Sequence, residues 1–136
     1  MSTQDVMKEE TRRKASEVMD QVWGAQAAEV FGPLAVGDDS FDKDVMAWWS
    51  IIFQRPGLDL KTRLLICLAA VTVQDRLGFM RGFITAALNA GCSETEVRET
   101  IVQVHLLGGF PTSRNALIVL SEVLEERAGE RERRPV

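Results

Sequence analysis

The sequence contains a single histidine, His105. Histidine is the side chain whose ordinary pKa lies nearest to neutrality, so His105 is the best candidate for a general acid or base. It follows Ile101 by one helical turn and Val97 by two, and this spacing places it on a helix face that we expect to be buried. The alternative is a structural histidine, hydrogen-bonded at the edge of the core or at a subunit interface.

Two arginines of the segment 76–90, Arg76 and Arg81, are candidate anion-binding groups. A guanidinium can form paired hydrogen bonds with a carboxylate or an enolate. The alternative for both is an arginine in solvent or at an interface. Arg55 and Arg63 lie on either side of a Pro-Gly turn, and for them we favour a structural role that ties the turn or a subunit contact.

Aromatic side chains are concentrated in the same part of the chain: Trp48, Trp49, Phe53, Phe79, Phe83 and Phe110. They either pack in the core or an interface, or they line an apolar cavity for a large hydrophobic ligand. In such a cavity, catalysis can come mostly from shape and from the positioning of a reactive substrate. Our substrate-binding candidates are Trp49, Arg76, Phe79, Phe83 and Phe110.

The two cysteines, Cys67 and Cys92, do not form a recognisable redox or metal motif. They are 25 positions apart in the sequence, which excludes a CxxC pair. With only one histidine in the chain, a zinc site made of cysteine and histidine is also disfavoured, so we predict no metal. Cys67 lies in an apolar run, which is typical of a buried structural thiol.

Composition narrows the class of protein. The 136 residues, of which 46% are hydrophobic, fit one globular domain. A net charge of −4 argues against a nucleic-acid partner. The longest apolar run, LLICLAAVTV at 64–73, is too short for a membrane span. No apolar run suited to a signal peptide follows the N-terminal residues. We therefore expect a cytoplasmic protein with no membrane partner.

Apolar residues recur with a helical period along most of the chain and never alternate as in a strand. The pattern predicts an all-α fold with about six helices, at 3–23, 40–53, 60–74, 76–90, 94–107 and from Pro111 onward. Asp59 and the Ser93–Glu96 pair match helix caps. Residues 25–39 form a predicted Gly/Pro loop, with a lid over a pocket as one interpretation, and the charged tail at 128–136 is expected to fray.

Three sequence motifs in order connect the chain with a known family: RPGLDLKTR at 55–63, AALNAGCSETEVRE at 86–99 and GGFPTSRNAL at 108–117. Over about residues 45–125 the chain resembles the carboxymuconolactone decarboxylase family, part of the alkylhydroperoxidase D-like superfamily. The resemblance implies an all-α helical bundle that assembles as a homo-oligomer, a trimer or a hexamer.

The chain also departs from the usual site of that family. Residues 76–90 contain no glutamate, cysteine or histidine, which excludes the dithiol peroxidase chemistry of one branch at this motif. Aligned back from LNAG, the resemblance places the acid of the decarboxylase branch at Gly78, its histidine at Phe83 and a frequent tyrosine at Leu107. The chain therefore resembles a diverged member that lacks the usual acid–base pair.

Two classes of function remain open from the sequence. The first is a cofactor-free lyase, isomerase or cyclase that acts on a hydrophobic carbonyl-containing substrate, with His105 as its acid or base. The second is a non-catalytic binding or interaction protein on the same scaffold. An open apolar cavity between the helices at 76–90 and 94–107, with His105 and an arginine at its wall, would favour the enzyme. A site filled by Met80 and Phe83 would favour the binding protein.

Overall fold

A computed structural model describes residues 2–24 and 39–134, without the side chains of residues 15, 39–43 and 46. These residues form six helices and no strand, which confirms the all-α prediction. In chain order the helices are α1 Thr3–Val22, α2 Asp39–Phe53, α3 Leu60–Val73, α4 Leu77–Asn89, α5 Glu94–Gly108 and α6 Phe110–Arg133. The predicted loop and lid at 25–39 lie outside the described residues, apart from residue 39 at the start of α2.

Capping side chains fix where α3 and α5 begin. The Asp59 carboxylate accepts a 2.8 Å hydrogen bond from the backbone N–H of Thr62. Hydrogen bonding by the side chain and then the backbone of Thr62 lowers the pKa of the Asp59 carboxyl. Ser93 and Glu96 bond each other's backbone N–H groups reciprocally, at 3.0 and 2.7 Å. Both caps satisfy N–H groups that have no partner inside the helix, as the sequence predicts.

Glycine is required at two helix ends. Gly91 follows α4 with a φ of +98°. A residue just after the C-terminus of a helix often has a positive φ, and glycine adopts this conformation most easily. Gly109 joins α5 to α6 with a φ of +83° and a ψ of 169°. This combination is almost restricted to glycine because a Cβ atom makes it unfavourable.

Helices α3 to α6 enclose the core, and α4 is the most buried of them. The side chains of Leu64, Leu68, Ile84, Ile101 and Leu120 are fully buried, at 0% exposure. Helix α3 packs on α4 and α5, while α6 packs on α4 and α5 from another side. In the described ranges, no helix combines the length and the apolar character that crossing a bilayer requires.

The N-terminal helix α1 belongs to the same core at its C-terminal end. Val22 and Trp23 are buried, and the Trp23 indole N–H donates a 3.1 Å hydrogen bond to the Gly82 carbonyl of α4. The Asn89 amide donates to the Val22 carbonyl at 2.8 Å. The C-terminal end of this helix therefore packs within the chain, whereas Met7 near the other end is 63% exposed.

Helix α6 extends to Arg133, further than the frayed tail predicted from 128 onward. Four of the six residues at 128–133 are glutamate or arginine, both of which have favourable helix propensity. The Arg133 guanidinium also donates to the carbonyl of Gly129 one turn earlier. The charge of the segment keeps it exposed but does not prevent helix formation.

Candidate functional site

A cavity of about 520 Å³ lies between α2, α3 and α4. This volume is in the range of small-molecule sites. Ten of the fourteen described residues that line it are apolar, and none is a carboxylate. The lining residues are Trp48, Trp49, Ile52, Phe53, Leu58, Arg63, Ile66, Cys67, Ala70, Val71, Gln74, Arg76, Phe79 and Phe83.

The cavity does not lie between the helices at 76–90 and 94–107, where an opening with His105 at its wall would favour the enzyme. No residue of α5 lines the cavity. Helix α5 instead packs directly on α3 and α6 through its buried residues Val97, Ile101 and Val104. The third side of the cavity is formed by aromatic residues of α2 instead of residues of α5.

Stacked aromatic rings form the inner wall. Trp49 and Phe83 lie nearly parallel, with 5.9 Å between ring centroids and 15° between planes. Trp23, the residue that caps the C-terminus of α1, packs behind both rings at 5.8 Å between centroids, in tilted and edge-on geometry. Phe83 is only 5% exposed and Met80 is fully buried. Phe83 therefore forms part of the wall without closing the cavity, and Met80 packs in the core rather than in the site.

The mouth of the cavity is apolar and open to solvent in the single chain. Trp48 is 63% exposed, Ile66 is 53% and Phe79 is 39%. Ile66, Ala70 and Val73 form an apolar stripe on one face of α3 that other described helices leave largely exposed. Apolar surface exposed around a concave site is typical of a ligand- or protein-binding surface.

The two arginines of the cavity wall differ in their partners. Arg63 donates from Nε to the Leu58 carbonyl at 3.1 Å and from Nη2 to the Arg55 carbonyl at 2.8 Å. It therefore holds the Pro-Gly turn, in agreement with the structural role predicted for it. Arg76 is exposed, and no described residue forms a hydrogen bond or an ion pair with its side chain. Arg76 is thus the cation of the wall that is available to a ligand.

A left-handed residue places Arg76 at the mouth. Asp75 has a φ of +53°, a conformation that aspartate tolerates better than most residues. Its carboxylate accepts a 3.0 Å hydrogen bond from the Asn115 amide of α6. The backbone N–H of Arg76 donates to the Val71 carbonyl at 3.1 Å. These bonds fix the short connection from which Arg76 and helix α4 begin.

The remaining polar side chains of the wall are Cys67 and Gln74, both uncharged in their ordinary forms. Burial raises the pKa of the Cys67 thiol above its usual value, although the nearby charge of Arg63 opposes the shift. The thiol is therefore protonated at neutral pH. Within residues 2–24 and 39–134, no three side chains of histidine, cysteine, aspartate or glutamate come together as a metal-binding group.

His105 does not lie in the cavity, and the prediction that it faces the protein interior is wrong for the single chain: the residue is exposed. Successive residues of an α-helix turn by about 100°. His105 therefore points about 80° away from Val97, whereas the buried Val104 points within about 20° of it. Its ring instead meets Phe110 edge-on, with 6.2 Å between centroids. Its predicted catalytic role stays a prediction.

Phe110, predicted to bind substrate, belongs with His105 rather than with the cavity. It is 64% exposed, and the neighbouring Leu106 and Leu107 are 75% and 94% exposed. We call these four residues, His105, Leu106, Leu107 and Phe110, the α5–α6 corner. Of the five predicted substrate-binding residues, the structure brings Trp49, Arg76, Phe79 and Phe83 to the cavity and leaves Phe110 outside it.

The acid position inferred from the resemblance is also outside the cavity. Gly78 lines a separate surface depression, together with Arg81 and Asn115. Arg81 pairs there with the carboxylates of Glu122 and Glu126, so the alternative of a surface arginine holds for it. Gly78 therefore does not line the cavity, because its position on α4 faces α6 rather than α3.

Comparisons with known proteins agree with the family resemblance of the sequence motifs. An uncharacterized 15.0 kDa protein of Paracoccus denitrificans from the nqo9-nqo10 intergenic region is 41% identical over 81 residues, 58% of this chain and 60% of that protein. The 4-carboxymuconolactone decarboxylase of Acinetobacter baylyi is 31% identical over 78 residues, 57% of this chain and 58% of that enzyme.

The nitrosuccinic acid decarboxylase npaB of Metarhizium robertsii is also 31% identical over 78 residues, 57% of this chain and 54% of that enzyme. The chain thus spans less than two thirds of the length of each of these relatives. The model of the carboxymuconolactone decarboxylase family matches residues 40–122, more than half of the 136 residues. The chain therefore belongs to the carboxymuconolactone decarboxylase family.

Proposed function

We propose that the protein is a cofactor-free lyase or isomerase, or a cyclase, that acts on a hydrophobic carbonyl-containing substrate bound between α2, α3 and α4. The observation that carries the proposal is the open cavity of about 520 Å³ with aromatic walls and the available guanidinium of Arg76. Two relatives are named decarboxylases, which supports the lyase among these options.

The cavity suits chemistry in which the substrate supplies its own electron sink. In a decarboxylation, the bond from carbon to the carboxylate breaks, and its electron pair moves onto a neighbouring carbonyl to give an enolate. Carbon dioxide leaves, and a proton from water restores the carbon. Apolar walls that hold one reactive conformation lower the barrier to this step. Arg76 supports the binding of an anionic substrate or intermediate.

No histidine, aspartate or glutamate is among the described lining residues, so a protein-derived base inside the cavity does not enter this proposal. His105 could act only from a neighbouring subunit. We propose in addition that the chain forms a homo-oligomer, a trimer or hexamer, and that the α5–α6 corner takes part in the contact. The 94% exposure of Leu107 supports this, since burial of such a side chain is favourable.

A variant that fills the cavity tests the enzyme proposal. Ala70 lines the cavity, whereas Ala128 is an exposed residue of α6 outside it. A panel of hydrophobic keto acids, enol lactones and enones is incubated with wild type, Ala70→Trp and Ala128→Trp, and substrate loss is followed by mass spectrometry. We expect conversion by wild type and Ala128→Trp, and a loss of at least about tenfold in kcat/KM for Ala70→Trp. Equal activity in all three would overturn the assignment of the site.

The second candidate is a non-catalytic binding protein that uses the same cavity. It is favoured by one observation, the lack of an acid–base pair in the described wall. Binding of panel compounds, measured by tryptophan fluorescence, without conversion of any of them would decide for this candidate. Conversion that depends on an open cavity would decide against it.

A further inference from the structure

We propose that the ligand of the cavity is an amphipathic monocarboxylate: its carboxylate meets Arg76 at the mouth, and its apolar body lies along α4 toward Phe83. This inference rests on the proposed function only in taking the cavity as the substrate site. It holds whether the carboxylate is lost in the reaction or kept as an anchor, and whether or not the bound molecule is converted.

The charged groups of the cavity wall indicate a ligand with one anionic group. Four described lining residues are polar: Arg63, Cys67, Gln74 and Arg76. The Nε and Nη2 groups of Arg63 already donate hydrogen bonds to backbone carbonyls of the neighbouring turn. Cys67 and Gln74 carry no charge. A second carboxylate on the ligand would face aromatic rings without a partner, and burying an unpaired charge is costly.

The order of residues along α4 fixes the orientation of the ligand. Arg76, at the N-cap of α4, and Phe79 and Phe83 within the helix all line the cavity, so the three residues follow one another from the start of α4 along its length. Their exposure falls in the same order: Arg76 is exposed, Phe79 is 39% exposed and Phe83 is 5% exposed. The charged end of a ligand therefore stays at the solvent-facing mouth, and its apolar end reaches the inner wall.

The same spacing sets the length and shape of the apolar body. Seven residues of an α-helix rise about 10 Å, so the body must extend roughly that far from the carboxylate to contact Phe83. At that depth the ring of Phe83 is stacked on Trp49, and such rings favour an aromatic or alicyclic group by offset or edge contacts. An arylalkanoic acid such as 4-phenylbutyrate has this arrangement of groups.

The binding energy should be divided unequally between the two ends. An exposed ion pair contributes up to about 1 kcal/mol, a factor of about five in affinity, and is screened by salt. The apolar body must supply the rest. The carboxylate thus determines selectivity and orientation more than total affinity.

The test compares three compounds by fluorescence titration, with Trp48 and Trp49 of the wall as reporters. The compounds are 4-phenylbutyrate, its neutral amide and the dicarboxylate phenylsuccinate. The proteins are wild type, Arg76→Gln and the control Arg98→Gln, since Arg98 is an exposed residue of α5 outside the cavity. Thermal unfolding checks that each variant is folded.

We expect wild type and Arg98→Gln to bind the acid up to about fivefold more tightly than the amide at low salt, with the preference shrinking at 0.5 M salt. In Arg76→Gln the acid and the amide should bind equally. Phe79→Ala should weaken the acid and the amide by the same factor. Phenylsuccinate should bind less tightly than 4-phenylbutyrate.

Three results would overturn the inference: equal affinity of acid and amide in wild type, retention of the acid preference in Arg76→Gln, or no binding of any compound at millimolar concentration. Failure of the proposed function looks different. If 4-phenylbutyrate binds as expected and no keto acid is converted, the inference stands and the enzyme proposal falls. If neutral carbonyl compounds are converted at rates that Arg76→Gln leaves unchanged, the enzyme proposal stands and the inference falls.

Discussion

The cavity and the α5–α6 corner both expose large hydrophobic side chains, but they do so in opposite shapes. At the cavity, residues from three helices face one another around a space of about 520 Å³, with Arg76 at the edge. At the corner, Leu106, Leu107 and Phe110 project outward from one tight connection. A concave apolar surface can surround a small molecule, whereas a projecting one can be buried only by another macromolecular surface. We therefore assign ligand binding to the cavity and contact with another subunit to the α5–α6 corner.

The largest effect should come from a charge at the corner. We expect Leu107→Glu to convert the proposed homo-oligomer to a monomer, because a carboxylate buried in an apolar contact costs several kcal/mol. Light scattering coupled to size-exclusion chromatography measures the change. Ile66→Glu, at an exposed residue of the cavity mouth, is the matched variant. If Ile66→Glu dissociates the oligomer and Leu107→Glu does not, the contact lies at the mouth and the assignment of roles is reversed.

The next largest effect should be the difference in stability between glycine-to-alanine substitutions at the corner and near the cavity. Gly109 at the corner has the φ and ψ that only glycine adopts easily, whereas Gly57 near the cavity has no positive φ and open space around its Cβ position. We expect Gly109→Ala to lower the free energy of unfolding by about 1–3 kcal/mol and Gly57→Ala to change it far less. Urea denaturation measures both. A cost at Gly57 as large as at Gly109 would contradict this account.

The thiols give a smaller effect that is specific for the cavity. Burial is the main cause of the raised pKa of both Cys67 and Cys92, so both should react slowly with iodoacetamide at pH 7 and faster as rising pH populates the thiolate. Only Cys67 lines the cavity. We expect 4-phenylbutyrate to slow alkylation of Cys67 severalfold and to leave Cys92 unchanged, as followed by peptide mass spectrometry. Equal protection of both thiols would mean that the compound binds elsewhere.

The smallest effect is expected at His105. Its side chain is exposed and outside the cavity, so His105→Ala should change the affinity for 4-phenylbutyrate by less than about twofold, in line with surface substitutions generally. Fluorescence titration measures this. Abolition of turnover by the same substitution would show that His105 enters the site from a neighbouring subunit, and the corner would then belong to the active site.

Much of the fold could be predicted from the sequence because its signals are local. The carboxylate of Asp59 and the pair Ser93–Glu96 cap the helices that they were expected to cap. These interactions involve residues three positions apart, which the sequence displays directly. The sequence does not predict the end of α6 at Arg133, because the high charge of the tail suggests fraying although the residues themselves favour helix.

The site was predicted only in part, because the position of a side chain in a cavity depends on how helices distant in sequence meet. The concentration of aromatic residues in this part of the sequence correctly indicated that Trp49, Phe79 and Phe83 line a cavity. The helix α3 itself was predicted, but its contribution to the cavity wall was not. The signal that could have found it is the stripe of Ile66, Ala70 and Val73 on a helix that is apolar on every side. His105 was misplaced because an i, i+4, i+8 series drifts around the helix, a rotation of about 80° over eight residues.

The hydrogen bond from Trp23 to the Gly82 carbonyl has a consequence for how such a protein can diversify. Trp23 lies outside residues 40–122, where the chain matches its family, yet its ring supports Trp49, Phe53 and Phe83 from behind. A substitution at Trp23 would move the inner wall without removing any residue that touches a ligand. The selectivity of the cavity can therefore change through mutations at the end of the N-terminal helix, while residues 40–122 stay the same.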